Sequence, residues 1–150
     1  MKVSTKGRYA LRLMLDLALN NTGDFIPIKD ISERQCISIK YLEQIVNSLN
    51  KAGFLKSQRG ASGGYCLAKQ PFEYSIGDIL RVSEGSLAPV ACVIDQELLD
   101  CPHQVSCCAT RELWVGLFDV VNNYLDNYTL QQLVDNHHKL KKLDCCTLSE

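Results

Sequence analysis

Apolar residues recur at three- and four-residue spacing over most of the 150-residue chain, and short polar breaks divide them into helices. Ala10, Leu11, Met14, Leu15, Ala18 and Leu19 form a wide stripe that predicts a first helix over residues 5–20, capped by Ser4. Asn21-Thr22-Gly23-Asp24 interrupts it. After Pro27, inward Ile28 and Ile31 predict a short helix over 28–34. A tight connection through Cys36-Ile37 leads to a third helix over 39–52, with Ser38 placed to cap it and Gly53 to end it. Leu42, Ile45, Val46 and Leu49 lie on one face of this helix. Lys40, Gln44, Asn47 and Lys51 lie on the other, flanked by Tyr41, Glu43 and Ser48.

The period then changes. Two short β-prone runs, 54–58 and 65–68, flank Arg59-Gly60-Ala61-Ser62-Gly63-Gly64 and predict a hairpin. A small helix is expected over 75–83. No clear period exists over 85–107, which contains Pro89 and Pro102. A long amphipathic helix follows over 109–127, with Trp114, Leu117, Phe118, Val121 and Leu125 as its stripe. Thr129 caps a last short helix through Leu133, and the chain after Asn136 reads as a polar tail. The expected fold is mainly α with a small β-hairpin wing, a winged helix-turn-helix plus a long dimerisation helix. Its parts are a DNA-binding domain over 1–70, a linker helix and cysteine-rich loop over 71–108, the dimerisation and terminal helices over 109–136, and a tail over 137–150.

Charge sharpens this division. The net charge is −1, but residues 1–70 carry +6 and residues 71–150 carry −7. A basic head on an acidic body suits a polyanionic partner. No apolar run is long enough to span a bilayer, and Arg12 and Asp16 interrupt the N-terminal stripe, so neither membrane insertion nor a signal peptide is expected. The expected location is the cytoplasm.

In a winged helix-turn-helix the third helix buries its aliphatic face and leaves its polar face for the DNA major groove. Gln44 and Asn47 can pair with base edges, and Glu43 can accept from a cytosine amino group. Ser38, Lys40 and Tyr41 stand at the helix N-terminus, where phosphate oxygens are favoured. Arg59, beside Gly60 at the wing tip, can reach a minor groove. The bland alternative is a helical core with an ordinary solvated face.

Eight cysteines are many for this length. Cys92, Cys101, Cys107 and Cys108 crowd one segment ahead of the long helix, where thiolates can wrap an iron–sulfur cluster or zinc. Cys36 is expected to pack in the helix-turn-helix connection, and Cys66 lies in a wing strand. Cys145 and Cys146 fall in the tail. His103, His137 and His138 belong to no nucleophile–carboxylate constellation, so an enzyme is not expected.

Three groups of residues resemble the IscR-like, Rrf-type family of winged-helix regulators. They are residues 2–10, Lys-Val-Ser-Thr-Lys-Gly-Arg-Tyr-Ala; residues 31–44, with Ile31-Ser32-Glu33-Arg34-Gln35, Ile37-Ser38 and Tyr41-Leu42-Glu43-Gln44; and the wing, with Arg59-Gly60, Gly63-Gly64-Tyr65 and Leu67. The resemblance extends to about Leu133. It implies a homodimer that binds a partly palindromic double-stranded DNA operator through helix three and the wing. Iron–sulfur members hold a 2Fe–2S cluster on three cysteines before the long helix. Residues 108–114, beginning Cys108-Ala109-Thr110, resemble the family's third-cysteine segment. The ligands so implied are Cys92, Cys101 and Cys108, with Cys107 as alternate. Where IscR supplies a histidine ligand this chain has Arg111, which leaves the fourth ligand open between His103 and a residue of the partner subunit's first helix. Two other readings remain: a cluster-free regulator of cysteine metabolism from the same family, and an iron–sulfur carrier that uses its winged helix for protein contacts.

Overall fold

Ser4 starts the first helix, its hydroxyl accepting from the Lys6 and Gly7 N–H groups at 3.1 and 3.3 Å. The computed structural model describes residues 3–60, 62–94 and 108–147, with side chains of the last helix described as far as Lys142. The helices are α1 (Thr5–Leu19), α2 (Ile28–Gln35), α3 (Ile39–Lys51), α4 (Ile76–Glu84), α5 (Arg111–Asp126) and α6 (Leu130–Thr147). Strands β1 (Leu55–Gln58) and β2 (Gly64–Leu67) pair antiparallel, Leu55 opposite Leu67 and Gln58 opposite Gly64. The fold is mainly helical with a hairpin wing, as the pattern predicts.

Ala10, Leu13, Met14 and Leu17 of α1 are buried together with Ile31 of α2 and the Leu42, Ile45, Val46 and Leu49 face of α3. Ile76, Ile79 and Leu80 of α4 and Leu130 of α6 complete the same core. Tyr74 is 2% exposed, and its hydroxyl donates to the Phe54 carbonyl at 2.8 Å. The Lys69 N–H donates to that hydroxyl at 2.8 Å, tying the wing's exit to α4. The wing is held at its base. Ile26 and Tyr65 exchange two backbone hydrogen bonds of 2.9 Å, and a side chain at Gly64 would collide with the Ile26 carbonyl.

Four expectations meet a different outcome. Cys36 does not pack: it is exposed, in the left-handed conformation (φ 53°) that turns the chain from α2 into α3. Ser38 occupies the N-cap position of α3, but its side chain makes no capping hydrogen bond. The terminal helix does not stop near Leu133. Leu130, Leu133, Val134 and His137 share one face at helical spacing, and α6 packs on α1, so burial carries the helix past the polar residues. Thr129 and Gln132 cap its start reciprocally, Gln132 Oε1 lying 2.7 Å from the Thr129 N–H.

The fourth concerns α5. Phe118 and Leu125 of the expected stripe pack against the chain's own core. The most exposed apolar residues are instead Leu113, Leu117, Val120 and Tyr124, spaced four, three and four. Arg81 fastens α5 to α4: it donates to Asn122 at 2.9 Å, to Asp78 at 2.9 Å and to Asp126. Gly77 leaves room for the Asp126 carboxylate.

Candidate nucleic-acid interface and cysteine site

Because α3 buries its aliphatic face completely, its other residues must meet solvent. Ser38, Lys40, Glu43, Gln44 and Asn47 are all exposed. Tyr41 is half-buried and held edge-on by Tyr9 of α1, with ring centroids 5.6 Å apart and planes at 87°. The Arg12 guanidinium lies 5.5 Å from the Tyr9 ring centroid. Tyr9 and Arg12 thus position a residue nominated for DNA contact. Their distance in sequence hides this, although Tyr9 falls within the family-like opening.

Arg59 and Gly60 are exposed at the tip of the hairpin. Gly60 takes φ 106°, a conformation that L side chains rarely adopt. Lys29, which sequence reasoning missed, lines a cleft of about 260 Å³ together with Pro27, Gln58, Gly60 and Tyr65. The Ile26–Tyr65 bridge creates that proximity, and no local motif announces it.

Of the nominated cluster ligands, Cys92 and Cys108 are described, and Cys101 and Cys107 lie outside the described residues, as does His103. Cys92 sits in a 3-10 turn, Ala91–Val93, that packs against α5. Cys108 precedes α5 and its carbonyl accepts from the Arg111 N–H at 3.1 Å. Hydrogen bonding from Thr110, whose hydroxyl lies 3.3 Å from the sulfur, holds the Cys108 thiol below the ordinary thiol range. Arg111 Nε is buried and has no hydrogen-bond partner among the described residues.

Cys92 and Cys108 are half-buried thiols, one in the turn that packs on α5 and one just before that helix, and thiolates of this kind suit the donor set of an iron–sulfur cluster. Among the described residues no three ligating side chains converge. Cys66 is half-buried in β2, and Cys145 and Cys146 fall within α6 with side chains outside those described. No helix among the described residues is long and apolar enough to cross a membrane.

The chain resembles curated regulators along nearly its whole length. It is 42% identical over 133 residues to the HTH-type transcriptional regulator CymR of Bacillus subtilis (strain 168), covering 89% of each protein. It is 38% identical over 149 residues to the HTH-type transcriptional regulator IscR of Pectobacterium atrosepticum, covering 96% of this chain and 85% of that one. Among solved structures, CymR (YrzC), the global cysteine regulator of B. subtilis, superposes with a TM-score of 0.73 at 40% identity, covering 91% of this chain and 98% of that one. T. potens IscR superposes at 0.72 and 35% identity, covering 91% and 88%. These relatives are named as transcriptional regulators, not enzymes. A family model described as Rrf2, iron-dependent transcriptional regulator, matches residues 3–136, and the chain belongs to the Rrf2 family.

Proposed function

We propose that this regulator is a cytoplasmic homodimer that binds double-stranded operator DNA through α3 and the wing, under the control of a 2Fe–2S cluster. The observation that carries the DNA reading is the division of α3: four aliphatic residues fully buried, and a polar face left in solvent. In this reading Gln44 and Asn47 meet base edges, Glu43 discriminates against wrongly placed acceptors, and Ser38, Lys40 and Tyr41 meet phosphates. Arg59 and Gly60 bring the wing to the neighbouring groove.

The dimer forms on α5, whose exposed Leu113, Leu117, Val120 and Tyr124 repeat at the spacing of a helix–helix seam. Cys92, Cys101 and Cys108, with Cys107 as alternate, hold the cluster. When bound, it supplies a redox-sensitive, acid-labile centre whose loss frees its thiolates. Cys92 follows α4 and Cys108 precedes α5, so ligation by both would couple the seam to the winged helix. Arg111, three residues beyond Cys108, would place positive charge near the anionic cluster.

A second reading keeps the regulator and removes the cluster, with cysteine supply as the signal. Similarity to CymR favours it. Anaerobic purification with iron and sulfide analysis and visible spectra separates the two. Gel shifts with genomic fragments test DNA binding itself; a chain that carries iron but retards no fragment would be a carrier and not a regulator.

A further inference from the structure

The polar residues after Asn136 form one wall of a cavity. It holds about 260 Å³ and lies between the end of α1, the last turn of α2 and the middle of α6. Leu19 and Asn20 line it from the end of α1, Arg34 and Gln35 from α2, and His137, His138 and Lys141 from α6. Asp16 also lines it, but its carboxylate is taken: it accepts from Arg34 Nε and Nη2 at 3.0 and 2.7 Å and from Gln35 Nε2 at 2.8 Å. We propose that this cavity is a binding site for a small monocarboxylate.

The chemistry of the lining selects that class. Arg34 Nη1 has no protein partner, and Lys141 makes no ion pair, among the described residues. The two imidazoles donate a hydrogen bond in either protonation state. The fixed charges of Arg34 and Lys141 against Asp16 leave one net positive charge, which matches a monoanion better than a dianionic phosphate. The volume lies at the small end of ligand cavities and suits a molecule of metabolite size. Leu19 offers apolar contact for a short carbon chain. Because Asp16 is 2% exposed and saturated with hydrogen bonds, the cavity floor is organised before any ligand arrives.

The site also touches the reading head. Gln35 precedes the left-handed Cys36 that turns α2 into α3, and Arg12 donates to both its carbonyl and its side-chain oxygen. A carboxylate held between Gln35 and α6 would bias the setting of α3. That consequence rests on the proposed DNA reading; occupancy of the cavity does not.

The test is a ¹H–¹⁵N NMR titration of the full chain, without DNA, using sodium pyruvate and sodium lactate, with sodium chloride and sodium phosphate as other anions. Saturable shifts at Leu19–Asn20, Arg34–Gln35 and His137–Lys141 with a carboxylate at millimolar concentration or below, and none with chloride, are expected. Lys141→Glu, at an exposed position, should weaken binding by at least about tenfold with the thermal midpoint unchanged. Absence of saturable shifts with both carboxylates, saturation by phosphate alone, or full affinity in folded Lys141→Glu would overturn the assignment.

Discussion

Arg34 of α2 clasps Asp16 of α1 side-on, with Nη2 2.7 Å from Oδ2 and Nε 3.0 Å from Oδ1. The Asp16 side chain is 3% exposed and that of Arg34 37%, so the carboxylate is buried and the guanidinium reaches water. The pairing raises the Arg34 pKa above its ordinary value, chiefly through the side-chain hydrogen bond. Asp16→Ala removes the acceptor for Arg34 and Gln35 together and should cost about 2 kcal/mol in urea unfolding. Arg34→Ala should cost as much or more, since it leaves a buried carboxylate with only Gln35 and no counter-ion.

On DNA, substitutions should sort by the group they remove. Gln44→Ala should lose about 1–3 kcal/mol at a mapped operator and relax base preference there. Lys40→Ala should weaken all sequences alike and lower the salt slope by about one. Arg59→Ala should also cost about 1–3 kcal/mol while leaving the thermal midpoint unchanged, because its side chain is exposed at the wing tip. Fluorescence anisotropy at several salt concentrations measures all three; unchanged Arg59→Ala affinity would remove the wing from the interface.

The exposed seam of α5 predicts assembly. Leu117 and Val120 are 40% and 67% exposed within one subunit, so charge there should leave the monomer folded. The double variant Leu117→Glu/Val120→Glu should be monomeric by light scattering at micromolar concentration with unchanged helical circular dichroism. A dimer of undiminished stability would place the interface elsewhere.

For the cysteines, Cys92→Ser and Cys108→Ser should each abolish visible absorbance, iron and acid-labile sulfide after anaerobic purification. Cys101→Ser should do the same and Cys107→Ser should cost less. Cys36→Ser, Cys66→Ser and truncation after Lys142 should retain the cluster. Wild-type iron and sulfide in the first two variants would favour the cluster-free regulator.

Tyr74 predicts alkaline sensitivity. Burial pushes its hydroxyl pKa up, against the opposing backbone hydrogen bonds. A raised folded-state pKa gives stability that is complete below the unfolded value of about 10 and is lost as pH rises through the folded value. The urea midpoint should therefore fall above about pH 10 more steeply in the wild type than in Tyr74→Phe. At neutral pH that variant should be about 1–2 kcal/mol less stable, because the Lys69 N–H loses its acceptor and the Phe54 carbonyl loses one of two donors, keeping only the Ala68 N–H.

Local pattern determined much of this protein. The Leu42/Ile45/Val46/Leu49 face, the Ser4 cap and the glycines of the wing follow from helical period, capping chemistry and backbone freedom, which act over a few residues. From them came the winged helix and the polar face of α3. The crowding of Cys92, Cys101, Cys107 and Cys108 was likewise visible as spacing.

Only tertiary packing decided the rest. Whether α5 turned Phe118 or Leu117 inward depended on where α4 and Arg81 stood, since both residues lie on apolar stripes of one helix. The length of α6 was settled by burial of Leu130 and Val134 as the helix packs on α1, a contact between elements more than a hundred positions apart for which composition carries no signal. Tyr9 under Tyr41, Lys29 beside the wing and the cavity over Asp16 have the same origin: the chain brought them together in space after its local rules had been satisfied.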